Sequence, residues 1–62
     1  MKYSEVLRIL KKDGWFVVRQ KGSHMIMRHP EKPQQLTVPN HGSKEIGPGL
    51  QMKIFKDAGI NR

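Results

Sequence analysis

Histidine is the side chain whose ordinary pKa lies nearest neutral pH, and this sequence contains three of them: His24, His29 and His41. The chain has no cysteine, which excludes a catalytic thiol, a thiolate zinc site and a disulfide framework. Proton transfer by histidine is therefore the chemistry to examine first.

A metal site is the first use to consider for these histidines. His24 and His29 are five residues apart in a segment with strand-like composition, so their side chains point to opposite faces of a sheet. They cannot hold one ion without a bulge between them, and His41 lies in a predicted loop. We expect neither a metal site nor a cofactor.

Acid–base catalysis suits His24 better. Residues 15–29 contain no Asp or Glu, and strand alternation places His24 and Arg28 on one face while the neighbouring methionines take the other. Arg19 and Lys21 lie across the turn from that face. If the methionines face the helices, this cationic strip could bind an RNA phosphate while histidine takes a proton from the adjacent 2′-hydroxyl.

Each histidine also has a purely structural interpretation. His24 could be a surface residue of a strand with no role. His29, which precedes Pro30, is more typical of a strand end than of a catalytic site. His41 is either an ordinary loop residue or a second proton donor.

The periodicity of the chain predicts the elements that position these residues. Apolar residues at helical spacing predict a first helix from Tyr3 to a stop at Gly14, and Pro48 and Gly59 bracket a second. Between the helices we predict three strands, at Trp15–Gln20, Ser23–His29 and Gln35–Val38, with a turn at Lys21–Gly22 and a loop at Pro30–Pro33.

This order predicts an α+β fold, α-β-β-β-α, in which a three-stranded antiparallel sheet carries both helices on one face. Double-stranded-RNA-binding domains have this layout. No linker or repeat divides the chain, so we expect a single domain over residues 1–62. Trp15 and Phe16 could stack on bases, but aromatic residues beside a helix stop are usually core, and the sequence leaves open which of the two faces it.

The net charge of +7 on 62 residues indicates an acidic partner: nucleic acid, anionic lipid or an acidic protein. No apolar run approaches the length of about 18 residues that a membrane span needs, and the first residues lead into no signal-peptide core. We therefore expect a protein of the cytoplasm without a membrane partner.

Several segments together resemble one known family. They are Asp13–Phe16, the string Arg19–His24, His29–Pro30, Thr37–His41, Lys44–Ile46 and the ending Asp57–Ile60. In this order they resemble the HicA (YcfA-like) toxins of bacteria and archaea over nearly the whole chain. The Arg-Gln-Lys-Gly-Ser-His string is the most specific part of the resemblance.

The resemblance implies a double-stranded-RNA-binding-like fold and a metal-independent mRNA interferase that arrests translation. It also implies a HicB-type antitoxin that covers the active face and represses the shared operon, so that DNA is contacted only through the complex. The family's catalytic histidine corresponds to His24, and Gly22 and Ser23 match the turn that presents it. His41 matches a position that is commonly histidine in the family.

We accordingly expect His24 to act as general base or acid. The expected RNA-binding residues are Arg19, Lys21, Gly22, Ser23, Arg28, His41 and Lys44. The second proton-transfer group could be His41, a lysine or water. Two alternatives stay open: a non-catalytic RNA-binding module of the same fold, and a module that binds only an acidic protein. The RNA sequence that is cut and the toxin–antitoxin stoichiometry are not specified by these residues.

Overall fold

The computed structural model describes residues 1–40 and 45–61. Its elements are α1 (Tyr3–Asp13), β1 (Phe16–Lys21), β2 (His24–His29), β3 (Lys32–Pro39) and α2 (Pro48–Asp57). The predicted order α-β-β-β-α is confirmed.

The three strands form one antiparallel sheet in the order β1-β2-β3, with β2 at its centre. Met25 is paired with Val38 and Met27 with Leu36, and all four side chains are buried in one core with residues of both helices. The helices therefore cover the same face of the sheet, as predicted, and the other face is left uncovered by them.

Helix α1 buries one side, with Val6 and Leu10 fully inaccessible, because its apolar residues recur at helical spacing. It ends as the sequence predicts: Gly14 adopts a φ of 120°, and its amide donates to the Lys11 carbonyl at 3.1 Å. The Trp15 amide then donates to the Leu10 carbonyl at 3.0 Å, and the chain turns toward the sheet.

The predicted first strand begins one residue too early. Trp15 is 2% exposed and packs in the core before the strand starts, whereas Phe16 is the first residue of β1 and is 47% exposed. Of these two adjacent aromatic residues, Trp15 is therefore the one that faces the core. The first hairpin turn also differs by one residue, since it is formed by Gly22 and Ser23 rather than by Lys21 and Gly22.

The third strand is longer than predicted at both ends. It starts at Lys32 and continues to Pro39, so the predicted loop at Pro30–Pro33 is wrong in its second half. Because β3 is an edge strand, it can contain proline, which a central strand could not accommodate. The register between β2 and β3 shifts between Met27 and His29, close to this region.

Helix α2 begins at Pro48 after an extended Gly47, as expected of proline at the first helical position. Its last residue is Asp57, and the chain reverses at Gly59, where φ is 72°. Ile54 and Phe55 are buried against the sheet. Neither of the helices in the described ranges combines the length and apolarity needed to cross a bilayer.

Candidate nucleic-acid interface

On the face of the sheet opposite the helices, β1 and β2 contribute three cross-strand pairs. Opposite one another are Lys21 and His24, Arg19 and Ile26, and Phe16 and Arg28. Residues directly opposite in an antiparallel pair project to the same side. We call these six residues the open face; all except Ile26 are exposed.

The hairpin turn fixes the end of the open face that carries His24. Gly22 has a φ of 61°, and no residue other than glycine has a positive φ in the described chain, which is the pattern of a type II′ turn. The Gln20 side chain donates to the Gly22 carbonyl at 3.2 Å, and the Asn40 amide donates to the Ser23 carbonyl. Hydrogen bonds from the Gln20 side chain and the Asn40 main chain to carbonyls of this turn therefore hold it in place.

The open face is positively charged without local compensation. None of the three strands contains Asp or Glu. Among the described residues, no ion pair involves Arg19, Lys21 or Arg28. The Arg28 guanidinium donates to the Pro33 carbonyl at 3.4 Å, a contact that leaves its charge unneutralised. These cations are therefore available to an anionic ligand.

His24 is exposed beside Lys21, at the start of β2. Within residues 1–40 and 45–61 its ring makes no hydrogen bond or ion pair. A side chain in this position contributes little to folding, and its ring nitrogens are accessible to a ligand on the open face.

His29 is buried on the other face, with 8% of its surface exposed. Its Nδ1 accepts the Glu31 amide hydrogen at 3.0 Å, and its Nε2 lies 2.7 Å from the Asp13 carbonyl oxygen. Because one nitrogen must accept and the other donates, the ring is the neutral tautomer with hydrogen on Nε2. Its edge meets the Trp15 ring at a centroid distance of 5.3 Å.

The structural interpretation of His29 is therefore confirmed, and so is the prediction that His24 and His29 lie on opposite faces. No group of three His, Asp or Glu side chains in the described ranges is arranged to hold a metal ion. What His29 does is join the end of α1 to the β2–β3 turn.

Lys32 completes this junction. Its Nζ donates to Asp13 Oδ2 and to the Ala58 carbonyl, each at 2.8 Å, and so connects the C-terminal ends of both helices. The hydrogen bond from Lys32 lowers the pKa of the Asp13 carboxyl below its ordinary value, and the positive charge of Lys32 acts in the same direction. No local pattern in the sequence indicates this contact, and Lys32 was predicted to lie in a loop.

The structure thus brings together six of the eight predicted site residues. Arg19, Lys21, His24 and Arg28 share the open face, and Gly22 lies in the turn at its end. Ser23 completes that turn. His41 and Lys44 lie outside the described residues, so their predicted places are untested. Phe16, for which the sequence favoured a place in the core over base stacking, is on the same face.

Comparison with known proteins identifies two similarities. A family model described as "HicA toxin of bacterial toxin-antitoxin" matches residues 3–60. A curated protein of Pseudomonas fluorescens (strain Pf0-1), named "Probable mRNA interferase HicA", is 42% identical over 60 residues, which cover 97% of each chain. Both similarities include the hairpin that carries His24.

Proposed function

This chain belongs to the HicA family of bacterial toxin–antitoxin toxins, and on that premise we propose that it is a metal-independent endoribonuclease with His24 as its catalytic general base or acid. The substrate is messenger RNA, and cleavage in the cytoplasm arrests translation. The name of the Pseudomonas relative, an mRNA interferase, supports this reaction.

The observation that carries the proposal is the position of His24. It is an exposed histidine on an acid-free face, opposite Lys21, with two arginines further along the same surface. An RNA strand lying on this face would bring its phosphates to the cations. An RNA strand in this position would also bring a 2′-hydroxyl within reach of the His24 imidazole, which makes no hydrogen bond or ion pair with any described residue.

The reaction uses a nucleophile that belongs to the substrate. His24 takes the proton of a 2′-hydroxyl, and the 2′-oxygen attacks the adjacent phosphorus. The bond from phosphorus to the 5′-oxygen breaks, which leaves a 2′,3′-cyclic phosphate and a 5′-hydroxyl. The lysine and arginines of the open face stabilise the charge that develops on the phosphoryl oxygens. No metal ion is needed to generate the nucleophile.

The departing 5′-oxygen needs a proton from a second group. Lys21 lies opposite His24 and is one candidate on the open face. His41 or a water molecule are the others. With His24 as the acid instead, one of these groups would serve as the base. General acid–base catalysis by one positioned group contributes about 10²–10⁴-fold to the rate.

The antitoxin of this toxin acts on the same surface. We assign it to the HicB type, and its binding would cover the open face and exclude RNA. The uncompensated charge of that face favours an antitoxin with acidic residues at the interface. RNA would then be protected from cleavage in the complex, and DNA would be contacted only through the antitoxin.

The proposal is tested with purified protein and a labelled single-stranded RNA. We expect cleavage in EDTA, products that end in 2′,3′-cyclic phosphate and 5′-hydroxyl, and no cleavage when the nucleotide 5′ to the scissile bond is 2′-deoxy. In cells, expression of His24→Ala should no longer arrest growth. Lys53→Ala, on the exposed side of α2, is the matched control and should arrest growth like the wild type.

Two results would overturn the proposal. Cleavage of the 2′-deoxy oligonucleotide at the same bond would exclude the 2′-oxygen as nucleophile. RNA binding with no cleavage at any protein concentration would instead favour a non-catalytic RNA-binding module.

A further inference from the structure

Phe16 is an aromatic side chain without a place in the core. The chain has four aromatic residues, one Trp, one Tyr and two Phe. Tyr3, Trp15 and Phe55 are at most 4% exposed, whereas Phe16 is 47% exposed. A single exposed apolar residue is ordinary in itself, so the surroundings of Phe16 decide what it can do.

The strand register gives those surroundings. Phe16 pairs with Arg28, and Arg28 shares its face of β2 with Ile26 and His24. Phe16 is therefore at one end of the open face and His24 at the other, about 13 Å apart for four residues of strand. Arg28 lies opposite Phe16, and Arg19 lies between Phe16 and His24 on the same face.

We propose that Phe16 is a base-stacking residue, which positions a single-stranded RNA substrate by stacking on an unpaired base a few nucleotides from the bond cut at His24. This inference rests on the proposed ribonuclease function and adds to it the strandedness of the substrate and a specificity-determining contact.

The chemistry of the face favours this ligand. Cations interleaved with an exposed ring are the arrangement by which proteins bind single strands, with phosphates on the cations and a base on the ring. A duplex keeps its bases stacked internally and would present only backbone to Phe16. An acidic protein surface would satisfy Arg19 and Arg28 without using the ring.

The test compares Phe16→Leu, which keeps an apolar side chain but removes the ring, with Phe16→Tyr, which restores it. Val18→Ala is the matched control, because Val18 is a 49% exposed apolar residue of the same strand outside the paired positions of the open face. The probe is a short fluorescein-labelled RNA that the wild type cuts, made uncleavable by one 2′-deoxy nucleotide at the scissile position.

We expect Phe16→Leu to raise the Kd about 5-fold or more, since stacking of one base contributes about 1–3 kcal/mol. Phe16→Tyr and Val18→Ala should bind like the wild type. The slope of log Kd against log salt should be the same for all four proteins, because no phosphate contact is lost. A duplex of the same sequence should bind no more weakly to Phe16→Leu than to the wild type.

Oligonucleotides with one abasic nucleotide locate the contact. At one position near the cut, removal of the base should weaken binding to the wild type but add nothing to the defect of Phe16→Leu, as expected for two partners in one interaction. That position should lie on the same side of the cut in different RNA sequences.

Four results would overturn the inference. Unchanged binding and cleavage by Phe16→Leu would remove Phe16 from the substrate site while leaving the ribonuclease proposal intact. An equal loss of affinity for every abasic position would exclude a fixed stacking contact. Normal RNA binding with weakened antitoxin binding would assign the ring to the protein interface. A wild-type chain that neither binds nor cuts RNA would end both proposals.

Discussion

His24 and His29 belong to the same strand, yet they differ in burial and in hydrogen bonding. His29 is buried, with both ring nitrogens engaged by the main chain at Asp13 and Glu31. His24 is exposed on the open face and makes no contact of this kind with any described residue. One face of β2 thus uses histidine to hold the fold together, and the other leaves it available for chemistry.

The comparison teaches that residue type alone does not identify a catalytic group. A buried histidine with fixed donors and acceptors is costly to remove and has no ring nitrogen accessible to substrate. An exposed one on a cationic face costs little stability and can reach a phosphodiester. Stability and activity should therefore respond separately to substitutions on the two faces.

The largest effect on stability is expected at His29. His29→Ala removes two hydrogen bonds and leaves a cavity beside Trp15, so the free energy of unfolding should fall by about 3–4 kcal/mol. His24→Ala should change it by no more than about 0.5 kcal/mol. Urea or thermal unfolding of the two variants measures both. Equal stability of His29→Ala and the wild type would contradict the structural role of His29.

Gly14→Ala sharpens the same side of the comparison. A β-carbon at Gly14 would lie 2.6 Å from His29 Nε2, and the φ of 120° is itself unfavourable for alanine. We expect a loss of about 1–3 kcal/mol of unfolding free energy. Part of that loss should disappear in the His29→Ala background, where the clashing ring is absent. Strict additivity of the two substitutions would show that the close approach is unimportant.

Substitutions of the exposed cations of the open face should leave stability unchanged and alter RNA binding. Arg19→Ala and Arg28→Ala should each weaken binding and reduce the slope of log affinity against log salt by about 0.7, the value for one phosphate contact on a single strand. Lys53→Ala should do neither. Equal slopes for all three variants and the wild type would mean that the arginines do not contact phosphate.

The smallest expected effect is a change of the free energy of unfolding with pH in the acid range, caused by the ion pair between Asp13 and Lys32. Lys32 lowers the pKa of Asp13, so the folded state favours the charged carboxyl. This stabilisation is complete above the ordinary Asp pKa of about 3.9 and is lost as the pH falls through the lower value of the folded state. The side chain is 35% exposed, so it amounts to less than about 1 kcal/mol.

Thermal melting of the wild type and Asp13→Asn between neutral and acid pH measures this dependence. The wild type should melt higher at neutral pH, and the difference should narrow below about pH 4. Lys32→Met should abolish the same pH-dependent difference. A constant difference across the range would show that the Asp13–Lys32 ion pair does not contribute to it.

The order of elements and the two faces of β2 could be predicted because they depend on local periodicity. Alternation along 24–29 placed His24 and Arg28 together, and Gly14 and Pro48 marked helix ends. The residues at which the strands begin and end were harder to predict. Trp15 has strand-like composition, but packing in the core holds it outside β1. Pro33 predicted a loop, although an edge strand accepts it.

The helix-end junction could not be predicted at all. Lys32 contacts Asp13 across 19 positions and Ala58 across 26, and no local pattern encodes contacts at such separations. The exposure of Phe16 is of the same kind, since it follows from which of two adjacent aromatics the core accommodates. All the residues of the open face could therefore be identified only from the strand register.

The central claim, that His24 performs chemistry and not only binding, is tested most directly by one rate constant. Single-turnover cleavage of a labelled single-stranded RNA, at protein concentrations that saturate binding, should be about 10²–10⁴-fold slower for His24→Ala than for the wild type. The Kd and the melting temperature should stay close to wild type. An undiminished rate constant for His24→Ala would contradict the account.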